Sequence, residues 1–251
     1  MGKRKIFKIV FAILSIFLCV VFYELLGICV AYKKQPEVSN TTKKETKNGS
    51  WNECSENTER AVIIEKNPEA LLQRVRLIKN AKKEIILSTF AFQSDESGKL
   101  ILGALHDAAD RGVHIRLLVD GMESWIDMEG NPYFYGLSSH ENVEIKLYNK
   151  ANPLKPWKMM GRMHDKYLIA DGKTYILGGR NTYNYFLGDF LGHKNYDRDV
   201  LVVCDEPEKE NSVNQLLEYF ETIWEQEDSG YFHDNKKLAN RKSVKNAVLE
   251  L

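Results

Sequence analysis

The segment RMHDKYLIADGKTYILGGRN, residues 162–181, carries the strongest structural signal in the chain. Residues 163–170 have the composition of a β-strand, and residues 173–179 have the composition of a second one. Between them stands Asp171-Gly172, a dipeptide typical of the two-residue turn of a β-hairpin. The segment therefore predicts a hairpin whose open end holds its first and last residues.

The open end of this hairpin gathers three polar side chains. His164 and Lys166 point the same way, because side chains two positions apart on a strand share a face. Folding at the turn sets position 164 opposite position 179, so Asn181 lies about two residues beyond His164. A histidine and a lysine on a hairpin are also typical of a solvated surface. The ordered array of His, Lys, Asp, Gly-Gly and Asn favours a site that binds phosphate oxygens.

This array resembles the phospholipase D superfamily, whose HxKxxxxD motif and following G-G/S-x-N segment it matches in full. Residues 181–189 are similar to the bacterial, membrane-associated branch that includes phospholipase D and cardiolipin synthase. The similarity extends over roughly residues 60–226. The resemblance implies phosphodiester hydrolysis or transfer on phospholipids through a phosphohistidine intermediate, without a metal or another cofactor.

Within that resemblance, His164 is the expected nucleophile. An imidazole attacks phosphorus only when the attacking nitrogen is unprotonated, so a partner must fix its tautomer through the other nitrogen. Superfamily members place an acidic residue some thirty positions downstream, at the head of a strand. Asp197 and Asp199 both occupy that place, and we prefer Asp199 because it borders the apolar run that follows.

The remaining motif residues have expected roles in substrate binding or in the turn. Lys166 and Asn181 would hold the non-bridging phosphoryl oxygens, where the transition state concentrates charge. Gly178 and Gly179 would let the backbone approach the phosphate closely. The other expected members of the site are Arg180, a cation whose direction the sequence leaves open, and Asp171, for which the resemblance implies a structural role.

Superfamily enzymes use two such motifs, one histidine acting as nucleophile and the other as acid, and this sequence has one. No second H-x-K occurs in it. A homodimer could place two copies of His164 across a twofold axis, or the chain could be the N-terminal half of a two-motif protein. Failing both, the product would be an inactive half-enzyme.

The N-terminus predicts a membrane anchor. Residues 9–32 are apolar apart from Ser15 and Glu24 and follow a basic flank, residues 1–8. This stretch exceeds the ~20 residues that cross a bilayer. It has no Ala-x-Ala cleavage site, although a cleaved signal is the alternative. Basic residues flank both ends, so orientation is weakly set, and we favour a catalytic domain outside the cytoplasm in a single-pass cell-membrane protein.

Composition bounds the possible partners. The chain of 251 residues carries 35 basic and 35 acidic side chains. Without residues 1–32 the balance falls to about −3, which is unlike the basic footprint of a nucleic-acid-binding protein. A phospholipid in a membrane is therefore the expected substrate, and a nuclease or other phosphodiesterase on the same site is the alternative. Lys155, Trp157, Lys158, Met159 and Met160 also have the composition of a segment that contacts a bilayer surface.

The rest of the sequence predicts an α/β fold. Residues 33–59 are a polar linker, residues 60–227 a single domain with one motif, and residues 228–251 a polar tail. Helices are predicted at 68–82, 98–111 and 213–226, and strands at 84–92, 113–120, 143–148 and 199–204. A strand, a helix and a strand within about 35 residues imply a parallel pairing. We expect a mixed β-sheet flanked by helices, a phospholipase D-like sandwich preceded by a transmembrane helix.

Overall fold

The computed structural model describes residues 3–33, 40, 43–44, 59–150, 152, 154–206, 211–233 and 236–251. The chain forms two compact units. One comprises Met1–Ser55 with Ala151–Gly161, and the other comprises Glu56–Lys150 with Arg162–Leu251. The predicted domain 60–227 is thus interrupted, because the stretch just before the motif groups with the N-terminal helix. Most of the predicted linker lies outside the described residues.

The first unit contains the predicted apolar helix, α1, which spans Lys3–Lys33. Within it, Arg4–Val30 is long and apolar enough to cross a membrane, and none of its most apolar window is buried inside the protein. Its apolar side chains, from Ile6 to Val30, are largely exposed. The unit also contains a short 3₁₀ helix, Pro156–Met160, which lies in sequence between the two parts of the second unit.

The second unit is built on a mixed sheet with strand order β1-β7-β6-β5-β2-β3-β4-β8. The strands β2, β3 and β4 run parallel, and the remaining pairings are antiparallel. The described strands are β1 (Glu59–Ile64), β2 (Glu84–Thr89), β3 (His114–Asp120), β4 (Val143–Tyr148), β5 (Tyr167–Ala170), β6 (Thr174–Gly178), β7 (Asp199–Cys204) and β8 (Ser229–Tyr231).

Helices cover both faces of this sheet, which confirms the predicted fold class. They are α2 (Asn67–Asn80), α3 (Glu96–Asp110), α4 (Gly121–Asp127), α5 (Pro132–Ser138), α6 (Ser212–Trp224), α7 (Lys236–Ala239) and α8 (Lys242–Glu250). Buried residues of α2, α3 and α5 form the larger core with one face of the sheet. Val213, Phe220 and Trp224 of α6 pack against Ile86, Leu118 and other residues of the opposite face. The helix α6 packs against that face because its apolar side chains recur at helical spacing and form one stripe.

The C-terminal segment corrects one prediction. Residues 228–251 are not a tail, since β8 pairs with β4 and extends the sheet. Phe232, Val244 and Ala247 are buried, and the first two belong to the larger core. The segment is polar overall because a short edge strand and two surface helices need few apolar residues to dock.

The hairpin forms where it was predicted, with its register shifted by one residue. Asp171 and Gly172 both adopt positive φ, 55° and 60°, as the two central residues of a type I′ turn require. The amide of Lys173 closes the turn on the carbonyl of Ala170 at 3.1 Å, yet the strand partner of Ala170 is Thr174. Lys173 is therefore an extra residue in the returning strand, and the predicted pairing of positions 164 and 179 is wrong.

Candidate active site

The ring of Phe90, directly after β2, lies at the centre of the candidate site. The imidazole of His164 meets it edge-on, with ring centroids 4.6 Å apart. The ammonium of Lys166 lies 5.3 Å from the same centroid, and the guanidinium of Arg162 lies 4.9 Å from it. His164 and Lys166 thus converge on one aromatic surface. Cations over an aromatic face are attracted by its quadrupole.

The environments of His164 and Lys166 differ sharply. His164 is exposed, and in the part of the chain that the structure describes no hydrogen bond or ion pair holds its imidazole. Lys166 is only 5% exposed, and its Nζ donates to the carbonyl oxygen of His164 at 2.7 Å. Burial lowers the pKa of Lys166, an effect that the charges of Asp165 and Asp197 oppose. An ammonium has three N–H donors, so two stay available to a ligand.

Asn181 is held by the segment that follows β2. Its carboxamide is buried, and Oδ1 accepts a hydrogen bond of 3.4 Å from the amide of Ala91, the neighbour of Phe90. An isolated parallel bridge between Phe92 and Thr182 continues the same contact. The structure therefore brings Asn181 to the Phe90–Phe92 segment, as it brings His164 and Lys166 to the Phe90 ring.

Asp197 completes the group. It precedes β7, is half-buried, and accepts a hydrogen bond of 2.7 Å from the amide of Arg198. A Cβ on Gly179 would collide with the Asp197 carboxylate. Its charge also acts on Lys166, as noted above. We call His164, Lys166, Asn181 and Asp197 the mouth.

Asp199, the preferred partner of His164 in the sequence analysis, lies elsewhere. It is 2% exposed, and its Oδ2 is bound by Arg74 at 2.9 Å and by Arg180 at 3.2 Å. Its other oxygen, Oδ1, is buried and has no hydrogen-bond partner among the residues that the structure describes. Two buried cations thus hold this carboxylate, which disfavours the expected pairing of Asp199 with His164. We call Arg74, Arg180 and Asp199 the arginine cluster.

Arg180 also departs from its expected role in substrate binding. The side chain is 1% exposed and its donors are directed into the protein. Nε donates to Oδ1 of Asn67 at 3.1 Å, while the two terminal nitrogens donate to the carbonyls of Ile64 at 3.2 Å and Glu65 at 2.6 Å. Arg180 thus fastens the motif to the chain between β1 and α2.

Each of the two motif glycines lies against an aspartate. A Cβ on Gly178 would collide with Oδ1 of Asp199, and one on Gly179 would collide with Asp197. Gly178 therefore faces the arginine cluster, and the approach of both glycine backbones to a phosphate stays a prediction. Gly179 lies against a member of the mouth, so its backbone stays close to the site.

Asp171 is far along the hairpin, at its closed end, and has the structural role that the resemblance implied. Its carboxylate accepts hydrogen bonds from the amides of Lys82, Lys83 and Glu84, at 2.7 to 3.1 Å. Burial alone would raise its pKa, but these three amides outweigh that effect and the pKa lies below its ordinary value. The carboxylate thereby fixes the hairpin turn to the start of β2.

Two further residues of the site, Phe90 and Asp120, were not predicted from the sequence. Asp120 ends β3 and is 1% exposed; its oxygens accept from Nε of Arg162 at 2.9 Å and from the amide of Met163 at 3.1 Å. It also caps α4 through the amide of Met122 at 3.0 Å. The residues just before His164 are thus held by the end of a central strand. Both missed residues stand at the carboxyl ends of parallel strands, where α/β sheets place their ligands, and that position is the signal that could have found them.

The sequence of this chain is similar to those of known proteins. A family model described as "Cardiolipin synthase, PLD-like domain" matches residues 74–224, more than half of the chain. Cardiolipin synthase C of Escherichia coli is 29% identical over 171 residues, which cover 62% of this chain and 34% of that protein. The match spans roughly a third of the length of three curated relatives, between 34% and 38%.

Two solved structures share the fold. Phosphatidylserine synthase from Haemophilus influenzae superposes with a TM-score of 0.56 at 18% identity, over 76% of this chain and 41% of that one. Nuc from Salmonella typhimurium, a phospholipase D family member, superposes with a TM-score of 0.50 at 21% identity, over 70% of this chain and 99% of that one. At these identities the superpositions establish the fold alone.

Proposed function

Because this chain belongs to the phospholipase D-like family of cardiolipin synthase domains, we propose that it is a membrane-anchored phosphodiesterase or phosphatidyltransferase acting on phospholipids. The observation that carries the proposal is the mouth itself. The exposed imidazole of His164 lies near the buried ammonium of Lys166, which has two donors unused among the described residues. The carboxamide of Asn181 is held at Ala91, next to Phe90 in sequence. This is a nucleophile next to groups suited to phosphoryl oxygens.

The reaction would begin with attack of a His164 nitrogen on phosphorus. The phosphorus–nitrogen bond forms as the bond to the leaving alcohol breaks, and the phosphatidyl group stays on the histidine. Lys166 and Asn181 would donate to the non-bridging oxygens, whose charge grows in the transition state. Water or a second alcohol would then release the group, giving hydrolysis or transfer.

Asp197 is the acidic partner that we assign to His164 in place of Asp199. Two observations support this choice: the arginine cluster occupies Asp199, and the charge of Asp197 acts on Lys166 within the mouth. A carboxylate that accepts the N–H of one imidazole nitrogen leaves the other nitrogen free to attack. Such a contact would form when the substrate orders the exposed imidazole.

The leaving alcohol needs a proton, and a second histidine is the group that would supply it. The sequence holds one H-x-K motif. We propose that the second motif comes from another copy of this chain or from the remainder of a longer protein, as the partial coverage of its relatives allows. A shared site of the first kind would be rescued by mixing His164→Ala with Lys166→Ala chains.

The test is turnover of phosphatidylglycerol vesicles by the full chain. His164→Ala should lower the rate by a factor on the order of 10³ or more, because it removes the nucleophile. His193→Ala, which alters another exposed histidine, is the matched control and should keep the wild-type rate. Unchanged lipid turnover in His164→Ala would reject the proposal.

Nucleic acids are the competing substrate, since their phosphodiester offers the same chemistry to the same mouth. The acidic excess of the chain beyond residue 32 works against binding a polyanion. Cleavage of DNA or RNA at low salt, without turnover of lipid, would replace the phospholipid assignment by that of a nuclease.

A further inference from the structure

The segment just before the motif packs against the C-terminal part of helix α1. The hydroxyl of Tyr23 donates to the carbonyl of Leu154 at 2.9 Å. The rings of Tyr23 and Trp157 meet edge-on with centroids 5.2 Å apart. A Cβ on Gly27 would collide with the indole of Trp157, so this glycine admits the tryptophan to the helix surface. Residues 154–160, which we call the interfacial segment, are thus seated on α1.

The position along α1 sets the depth of this contact. The apolar span ends at Val30, three residues beyond Gly27 and seven beyond Tyr23. At 1.5 Å per residue, the contact lies about 5–10 Å inside the apolar end of the helix. Membrane-surface segments bury their apolar side chains to that depth, and tryptophan and tyrosine are enriched there.

The composition of the interfacial segment fits the same environment. Leu154 is 79% exposed and Met160 is 68% exposed, a costly arrangement in water. Lys155 and Lys158 are also exposed, and lysine side chains extend along an apolar surface to place their charge among headgroups. Apolar and basic side chains are therefore interleaved on a piece of chain that already touches an apolar helix.

We propose that the interfacial segment lies in the headgroup–acyl boundary of the bilayer that α1 spans, and that it keeps the mouth within reach of phospholipids in that leaflet. This inference rests on the proposed function, because it requires α1 to be a membrane anchor. Seven residues join Trp157 to His164, and extended chain covers at most about 3.4 Å per residue. Connectivity alone therefore holds His164 within about 24 Å of the boundary. The substrate is then a phosphodiester of the leaflet at the C-terminal end of α1.

Depth-dependent quenching of tryptophan fluorescence tests the location. The full chain is reconstituted in phosphatidylcholine–phosphatidylglycerol vesicles whose acyl chains carry bromine near the headgroup or near the bilayer centre. We expect stronger quenching by the shallow bromines, and most of it should vanish in Trp157→Phe. Trp125→Phe, which changes a tryptophan that is 63% exposed on α4, is the matched control and should keep it. Equal quenching in wild type and Trp157→Phe would overturn the proposal.

A second experiment tests the consequence for substrate access. The double variant Leu154→Ser, Met160→Ser should turn over phosphatidylglycerol in vesicles about 10-fold more slowly, because two apolar side chains no longer enter the boundary. Its hydrolysis of the soluble diester bis(p-nitrophenyl) phosphate should match wild type. Equal rates on vesicles, or equal losses on both substrates, would contradict the inference.

The two proposals fail in distinguishable ways. If wild-type protein turns over no lipid while Trp157 is quenched by shallow bromines, the proposed function is wrong and the location of the interfacial segment stands. If lipid is turned over while Trp157 is not quenched, the function stands and the inference is wrong.

Discussion

The mouth and the arginine cluster both take residues from the stretch 164–199, to which the cluster adds Arg74, and they use their polar groups in opposite ways. In the mouth, the His164 imidazole is exposed without a polar partner among the described residues, and Lys166 keeps two donors. In the arginine cluster, Asp199 and Arg180 are almost fully buried and their ion pair is internal. The comparison shows that a charged residue in a motif can serve the reaction or the fold, and that its surroundings determine which.

The contrast is clearest between Asp197, which precedes β7, and Asp199, which begins it. Alternation along a strand would place Asp197 and Asp199 on one face. The strand begins only at Asp199, and Asp197 lies in the irregular chain before it, so the rule does not extend to it. One carboxylate consequently lies against Gly179 in the mouth, and the other is held by Arg74 and Arg180.

Replacing Asp197 with asparagine tests the mouth and should give the largest effect. We expect the rate of lipid turnover to fall about 10²- to 10⁴-fold, since His164 loses its assigned acidic partner. The free energy of unfolding should change little, because among the described residues this carboxylate accepts one hydrogen bond, from the amide of Arg198. Steady-state kinetics and urea unfolding of the same preparation separate the two quantities. A stable variant with wild-type rates would remove Asp197 from the mouth.

Replacing Asp199 with alanine tests the arginine cluster and should reverse the pattern. The change leaves two buried guanidinium groups without their shared counter-ion, and breaking a buried pair costs about 3–5 kcal/mol of unfolding free energy. Urea unfolding measures this loss directly. Asp199→Asn keeps the shape of the side chain and provides a milder variant if alanine prevents folding. Should Asp199→Ala be as stable as wild type while losing catalysis, the assignments of the two aspartates would have to be exchanged.

Most of the regular structure of the second unit could be predicted from the sequence, because the signals are local. The bounds of β4 and β7 match the apolar runs at 143–148 and 199–204, and α6 follows its apolar spacing to within two residues. The hairpin was found from its Asp-Gly turn. The one-residue shift in register arose because Lys173 adds a residue to the returning strand, a detail that turn composition does not contain.

The elements and site residues that escaped prediction depend on distant contacts. The strand β8 has three residues and is defined by its pairing with β4. The helix α8 packs through few apolar side chains, of which Val244 and Ala247 are buried. The direction of Arg180 depends on the chain between β1 and α2, more than 110 positions away in sequence. The local spacing of apolar residues gives no information about contacts between such distant residues.

Asp171 lies between the two extremes of the comparison, because its carboxylate is bound inside the protein yet is only partly buried. Asp171→Asn removes the charge while keeping a residue that tolerates the positive φ of 55°. We expect a loss of about 1–2 kcal/mol in the free energy of unfolding at pH 7, since charge-assisted hydrogen bonds to three amides become neutral ones. Asp107→Asn, on an exposed position of α3, is the matched control and should have no measurable effect.

The pH dependence of that loss identifies its cause. The folded-state pKa of Asp171 is lowered, so its contribution is fully present above the ordinary aspartate pKa of about 3.9 and disappears as the pH falls through the lower folded-state value. The difference in stability between wild type and Asp171→Asn should therefore be constant from pH 7 to about pH 5 and shrink below about pH 4. Urea unfolding at a series of pH values measures it. A difference that persists unchanged to pH 2 would mean that the shape of the turn, and not the charge of Asp171, ties the hairpin to β2.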